Sequence, residues 1–257
     1  MKPFYSINFN ARMCRMIISV NGIPLINMEV DGQCSTRYPF NNLLLESGEI
    51  PIKYEVRPLR RELQLHKEAY LSCEVELFDL ESTLEPVAVM AHYETPADPN
   101  NNMLPFLIHE DVFHAEVPYS LEGWKNSMKL DQYGDGLRTM VVEKYESLIS
   151  LMRNRDFSQY AKEFEERENI MGVCFYLSEE EKRERMGDIE TVVKNSNRIV
   201  PISNKDYLEF AADGRLVRLV KEDGESSLRL LNEEAGEEII IELWLQMKQG
   251  SNELTII

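Results

Sequence analysis

The densest run of chemistry-bearing side chains is His109-Glu110-Asp111-Val112-Phe113-His114, with two imidazoles and two carboxylates in six residues. Such a set could hold a divalent metal if its side chains converged. Spacing opposes this. On a strand, residues five apart face opposite sides, and on a helix they lie well out of line. Only a loop could bring both histidines to one ion, and the pattern predicts a polar turn between two short strands instead. A second run, Asp131 to Gly136, echoes the opening of a calcium loop. Its third position is Tyr133, however, and its twelfth is Val142, where a bidentate Glu is required. A polar turn ahead of a helix accounts better for these residues. Cys174 stands between Val173 and Phe175, an apolar setting that suits a structural thiol rather than a reactive thiolate. Cys14, Cys34 and Cys73 are scattered without a CxxC pair, so reduced and mostly buried thiols are expected. No nucleophile elbow, phosphate-binding loop, dinucleotide fingerprint or HExxH motif occurs. The sequence therefore predicts no catalytic residue, no cofactor site and no metal ligand.

Charge narrows the partners. The formal net charge is −17 over 257 residues. It is spread along the chain, with nine basic and seventeen acidic residues in 1–119 and nineteen and twenty-eight in 120–257. An acidic surface repels phosphate and anionic lipid, so neither nucleic acid nor a membrane is an expected partner. Arg57, Arg60 and Arg61 form the one local basic cluster, and on such a chain they are expected to pair with nearby Glu. The N-terminus lacks an apolar signal core, and no run approaches the roughly 20 apolar residues that span a bilayer. A cytoplasmic protein is expected.

The helical signal lies between Leu137 and Asn195. Val141, Tyr145, Leu148, Ile149 and Met152 recur at helical spacing and predict one buried stripe. Asp156 can cap a second helix with Phe157, Tyr160, Ala161 and Phe164 as its stripe and Glu163, Glu165, Glu166 and Glu168 as its polar face. Those four carboxylates are the candidate acidic face toward a partner. Ser178 and Glu181 have capping-box spacing and predict a third helix from Glu179 to about Val193, with Met186, Ile189 and Val193 turned down.

Before this stretch the pattern is β. Asn21-Gly22 between apolar runs predicts a hairpin over about Cys14–Val30, and Asp31-Gly32 reads as a further turn. Strands are expected near 50–56, 69–78 and 86–93, with a pair near 104–108 and 112–117. Pro96 to Met103 has the composition of an exposed loop. Seven or so closely spaced strands predict an antiparallel β-sandwich over 1–119, followed by a linker over 120–136.

After the helices, strands are expected near 198–202, 207–211, 216–221, 227–232, 238–247 and 254–257, separated by Gly-containing turns. The nearly continuous apolar run 239–245 predicts one central strand. Val141–Met152, the Asn154-Arg155-Asp156-Phe157 junction, Tyr160–Phe164, Ser178–Val193 and the strands after Ile199 together resemble the nuclear transport factor two-like family. That resemblance implies a cone-like α+β domain over 137–257, with a pocket inside the cone. Its members include enzymes, ligand binders and non-catalytic adaptors. The Asp-His pair of its catalytic members has no counterpart, since no histidine follows His114. Tyr145, Tyr160, Phe164, Phe175, Tyr207, Phe210 and Trp244 are the candidate pocket residues.

The fold class expected is thus α+β multidomain, and the expected function is a non-catalytic acidic module binding a basic protein. A concrete form is a bacterial immunity or antitoxin-type protein that occludes a toxic enzyme. The alternative is a small-molecule binder or weak enzyme using the aromatic-lined pocket. A third class, carbohydrate or peptide binding on the sandwich, requires an exposed aromatic row among Phe4, Tyr38, Phe40, Tyr54 and Tyr70.

Overall fold

The computed structural model describes residues 1–82, 85–97 and 104–257, apart from the side chain of Met186. The expected loop at Pro96 to Met103 lies mostly outside these residues. The chain forms two compact units, Met1–Leu121 and Glu122–Ile257. Among the described residues no helix is long and apolar enough to cross a membrane.

The first unit is organised on β1 (Pro3–Val20), an 18-residue strand. Tyr5, Ile7, Phe9 and Ala11 point inward at odd positions, and Cys14, Met16, Ile18 and Val20 do so at even ones. A strand has a two-residue period, so this change of phase needs an irregularity between the two sets. It occurs at Met13, whose φ is 47°, where the pairing with β2 (Ile23–Pro39) shifts register between Arg12 and Cys14. Asp31-Gly32, expected as a turn, lies opposite this break inside β2, because the hairpin continues past it to Pro39. The expected turn at Asn21-Gly22 is present, with φ of 52° and 71°, values that glycine reaches without strain.

β1 serves two partners in succession. Its first half pairs with β4 (Tyr70–Asp79) and its second half with β3 (Gly48–Arg57), while β5 (Ala88–Glu94) and β6 (Leu107–Ala115) lie at the ends. Hydrogen bonding therefore runs through one six-stranded antiparallel sheet rather than two facing sheets. The sheet nearly closes. At its seam the rings of Tyr93 on β5 and His109 on β6 stack at 5.1 Å, over Tyr54 at 5.0 Å from Tyr93.

His109 to His114 is not a turn between two strands but the middle of β6. The strand pairs with β3 without interruption from Ala115 to Leu107. The five-residue parity argument holds there: His109 faces the aromatic stack, and His114 places Nδ1 3.0 Å from Glu49 on the outer face.

In the second unit, α1 (Leu137–Asn154) buries Leu137, Val141, Tyr145, Leu148, Ile149 and Met152. Asp156 caps α2 (Phe157–Glu163) by accepting from the Gln159 amide. The expected second helix breaks at Phe164, and α3 (Glu165–Cys174) follows it. The Ser178–Glu181 capping box opens α4 (Glu179–Asn195). Strands β7 (Arg198–Ile199), β10 (Arg229–Asn232) and β11 (Glu237–Ile240) form one small sheet. A second contains β8 (Tyr207–Ala211), β9 (Leu216–Val220), β12 (Leu245–Gln246) and β13 (Thr255–Ile256).

The long strand expected over 238–247 is divided, because β11 joins the first of these sheets and β12 the second. The chain crosses between them at 241–244. The expected linker is also built into this unit. The Met128 amide donates to Met247 O at 2.8 Å, Ser127 Oγ to Gln246 at 2.6 Å, and the Leu130 amide to Gly214 O at 2.7 Å.

Candidate functional site

Two arginines lie deep in the second unit, one of them on a strand that is otherwise apolar. Arg218 sits between Val217 and Leu219 on β9, and its side chain is only 7% exposed. An ionised group in such a place needs compensation, since loss of hydration costs far more than any single exposed ion pair returns. Glu209 on the neighbouring β8 supplies it at 2.6 Å, and Glu242, from the segment where the chain changes sheets, meets the other side of the guanidinium. Trp244 lies beneath, with Arg218 Cζ 4.6 Å from the ring centroid. Burial opposes the charge on Arg218, yet Glu242 and Glu209 overcome it and hold the pKa above its ordinary value. Arg229 on β10 is held likewise, by Asp223 at 2.6 Å, by Glu238 at 3.4 Å and by the Ser226 carbonyl at 2.8 Å.

The two arginines organise a shell of carboxylates whose charges are unequally matched. Glu225 lies against Glu242, and its pKa is raised, first by burial and then by that neighbour's negative charge and hydrogen bond. Tyr145 reaches the same region from α1. Its hydroxyl accepts from the Leu219 amide at 3.0 Å, and burial pushes its pKa up to about 12.

The structure divides the predicted pocket residues. Tyr145, Tyr160 and Phe164 are buried at 2% exposure or less, and the Tyr160 and Phe164 rings stack at 4.6 Å. Phe175 and Trp244 are partly buried, and Trp244 is taken up by Arg218. Tyr207 and Phe210 are exposed, at 46% and 39%, on β8. The set is therefore part core, part edge of the arginine cluster and part surface.

The predicted acidic face is largely spent on internal pairs. Glu163 holds Lys144 on α1, whose charge outweighs burial and lowers the Glu163 pKa. Glu166 meets Lys248 at 2.8 Å and Gln246 at 3.1 Å, and Glu168 meets Arg185 at 3.0 Å. Glu165 is exposed.

The remaining motifs resolve structurally. Arg57 chelates Glu55, and Arg60 pairs with Glu29 at 3.7 Å. Asp131, from the calcium-like run, packs on Gly214, where a Cβ would lie 2.3 Å from its carboxyl group and the backbone φ is 79°, so a larger residue would be strained and would displace Asp131. Cys174 is buried, as are Cys14 and Cys73. Burial pushes the Cys14 thiol up to about 11, away from nucleophilic chemistry. Phe40 and Tyr54 are core residues, which breaks the aromatic row that carbohydrate binding required. Among the described residues no three His, Cys, Asp or Glu side chains converge as a metal site would need.

Sequence reasoning missed Arg218 and Arg229. A usable signal exists for the first. Leu-Val-Arg-Leu-Val on a buried strand is a pattern in which the charge must be paired. Compared with known protein families, with curated proteins and with solved structures, the chain has no match.

Proposed function

We propose that this chain is a non-catalytic binding protein that engages a protein partner through the first unit. The observation that supports this most directly is the seam of the sheet. Val87 beside β5, Val89 on it, Phe106 beside β6, and Ile108 and Val112 on it are each about half exposed. Exposed apolar side chains on the two end strands of an otherwise charged protein mark an interaction surface. The chain's formal net charge of −17 selects a partner with a basic rim and favours fast, salt-sensitive association. The pairing of Glu163, Glu166 and Glu168 within the chain moves the expected contact away from that helical face. An immunity or antitoxin-type protein remains the concrete form of this reading. The second unit is read as a cone-like domain of the nuclear transport factor two-like kind. The long helix α1 reaching β9 through Tyr145 supports that, as does the order of helices and antiparallel strands after it.

The test is a pull-down from native lysate at low salt, followed by reconstitution with the purified protein that elutes. A stoichiometric basic partner should be released as salt rises, and Ile108→Asp/Val112→Asp should fail to bind it while remaining folded. Undiminished binding by that variant, or no salt-sensitive partner at all, would overturn the proposal.

A further inference from the structure

The first unit leaves one long sheet edge open among the described residues. β2 pairs with β1 along one side, and no described strand pairs with its other side. No turn or loop backbone bond reaches residues 33–38 either. In an antiparallel pair, successive residues turn their amide and carbonyl alternately toward the neighbour and away from it. The Phe40 amide donates to Tyr5 O at 3.1 Å, one step beyond the Ser6–Pro39 pair, and this sets the phase. Counting back, Tyr38, Thr36 and Cys34 bond toward β1, whereas Pro39, Arg37, Ser35 and Gln33 turn their groups outward. Pro39 has no amide to leave unpaired there, which suits an edge.

The usual guards are missing from this edge. Exposed edges are commonly blocked by a lysine, a proline or an inward-pointing charge. Residues 33–38 hold no lysine, no proline and no carboxylate. The two long side chains at outward positions fold back across the sheet. Arg37 reaches Glu76 on β4 at 2.6 and 3.3 Å and lies over the Phe78 ring, and Gln33 reaches Asn10 on β1 at 3.2 Å. Ser35 between them is small. All six residues are exposed except Cys34, which is partly buried.

We propose that this edge is a contact between two copies of the chain, joined as antiparallel strands about a two-fold axis through Ser35. A row of unpaired amides and carbonyls needs an extended strand with a row of its own, and a two-fold axis brings one edge against itself. The outward groups fix the register. With Ser35 opposite Ser35 of the second copy, and Gln33 opposite Arg37, these three residues each exchange both backbone bonds. An axis at Thr36 sets Gln33 against Pro39, which has no amide to give. An axis at Cys34 carries Arg37 to Asp31, in the irregular stretch opposite Met13. Charge agrees with the placement. Two chains of net charge −17 repel, and pairing over the earlier part of β2 would set Glu29 and Asp31 of both copies near one another. The contact is separate from the apolar seam and goes beyond the binding read from it.

Sedimentation of the full-length chain from about 1 µM to about 1 mM should show a reversible dimer. It should tighten as sodium chloride rises, because screening relieves the repulsion between acidic chains. Ser35→Pro deletes an amide that β1 does not use and should lose the dimer while staying folded. Ser35→Glu keeps the amide, sets two carboxylates together on the axis and should weaken the dimer about fivefold. Register is read by cross-linking. Across a non-hydrogen-bonded pair the Cα atoms lie about 4.5 Å apart, within reach of a disulfide. Thr36→Cys places a thiol opposite Cys34 of the second copy, and diamide, which takes up the two thiol hydrogens, should join the chains. Wild type and Thr36→Cys/Cys34→Ser, whose thiols lie a diagonal step apart, should stay single. A monomer throughout, a dimer that loosens with salt, an undiminished dimer in Ser35→Pro, or a Cys34–Cys34 link in wild type would overturn the assignment. So would loss of the dimer in Ile108→Asp/Val112→Asp, which would move the contact to the seam.

Discussion

Replacing Arg218 by Met removes the charge while keeping much of the side chain's length. Breaking a fully buried ion pair by deleting one partner costs about 3–5 kcal/mol, because the other charge is left uncompensated. Glu209 and Glu242 are 27% and 43% exposed, so water can rehydrate them, which places the cost near the lower end, about 3 kcal/mol. Loss of the Trp244 contact adds about 1 kcal/mol. Arg218 also counters the negative charge around Glu225, whose pKa is raised by burial and by Glu242. Without it, ionising that pair costs more. The deficit of the variant should therefore be larger at pH 8 than at pH 4, where protonation relieves the repulsion. Urea unfolding followed by tryptophan emission suits the measurement, because Trp124 and Trp244 both lie in the second unit. A deficit below about 1 kcal/mol, or one independent of pH, would refute the picture of a buried arginine neutralised by two carboxylates.

Three further outcomes follow from the same region and from α4. Glu225→Gln should stabilise the protein at pH 8 and not at pH 4. The folded state holds Glu225 above its ordinary pKa, so ionisation penalises folding as pH rises, and the amide removes that penalty; an equal gain at both values would show another cause. Tyr145→Phe strands the buried Leu219 amide and should cost about 1–3 kcal/mol by urea midpoint, whereas a neutral result would mean the amide finds another acceptor. Ser178→Ala removes the hydroxyl that accepts from the Glu181 amide, leaving the Glu181 carboxylate on the residue-178 amide, and should cost about 1 kcal/mol, read as lost helicity near 222 nm and a lower midpoint. No change in either would make the box incidental.

How much was legible depended on whether a residue's type announced its conformation. Asn21-Gly22 did, because few other pairs accept positive φ at both turn positions, and the hairpin there matches expectation. Met13 did not. It adopts φ of 47° without being glycine, so the bend in β1 shows only as a change of phase between Ala11 and Cys14. Asp31-Gly32 has turn composition but serves the bulge opposite that bend, which is why two expected short strands are one long hairpin. His109 to His114 looked like a loop because polar residues fall on both faces of β6, with His114 outward and His109 over the aromatic stack at the seam, and composition cannot separate an exposed end strand from a turn.

In the second unit the opposite confusion operates. The run from Ile239 to Leu245 is apolar throughout, which predicts a strand buried on both faces, but the same pattern arises when a chain leaves one sheet for another within a shared core. The helix stripes were readable because period 3.6 survives whatever lies opposite, and Tyr145, Tyr160 and Phe164 were placed inside on that ground alone. What each does there was not readable. Tyr145 meets the Leu219 amide 74 residues away, and the Tyr160 hydroxyl meets no hydrogen-bond partner among the described residues. The distinction arises from tertiary contacts that no local pattern encodes. Arg218 and Arg167 are a sharper case. One residue type, in one unit, is held above its ordinary pKa where two carboxylates meet it and below it where Glu168, at 3.7 Å, is already gripped by Arg185. Two arginines of one unit thus differ in the compensation that tertiary contacts supply, which no local pattern of the sequence encodes.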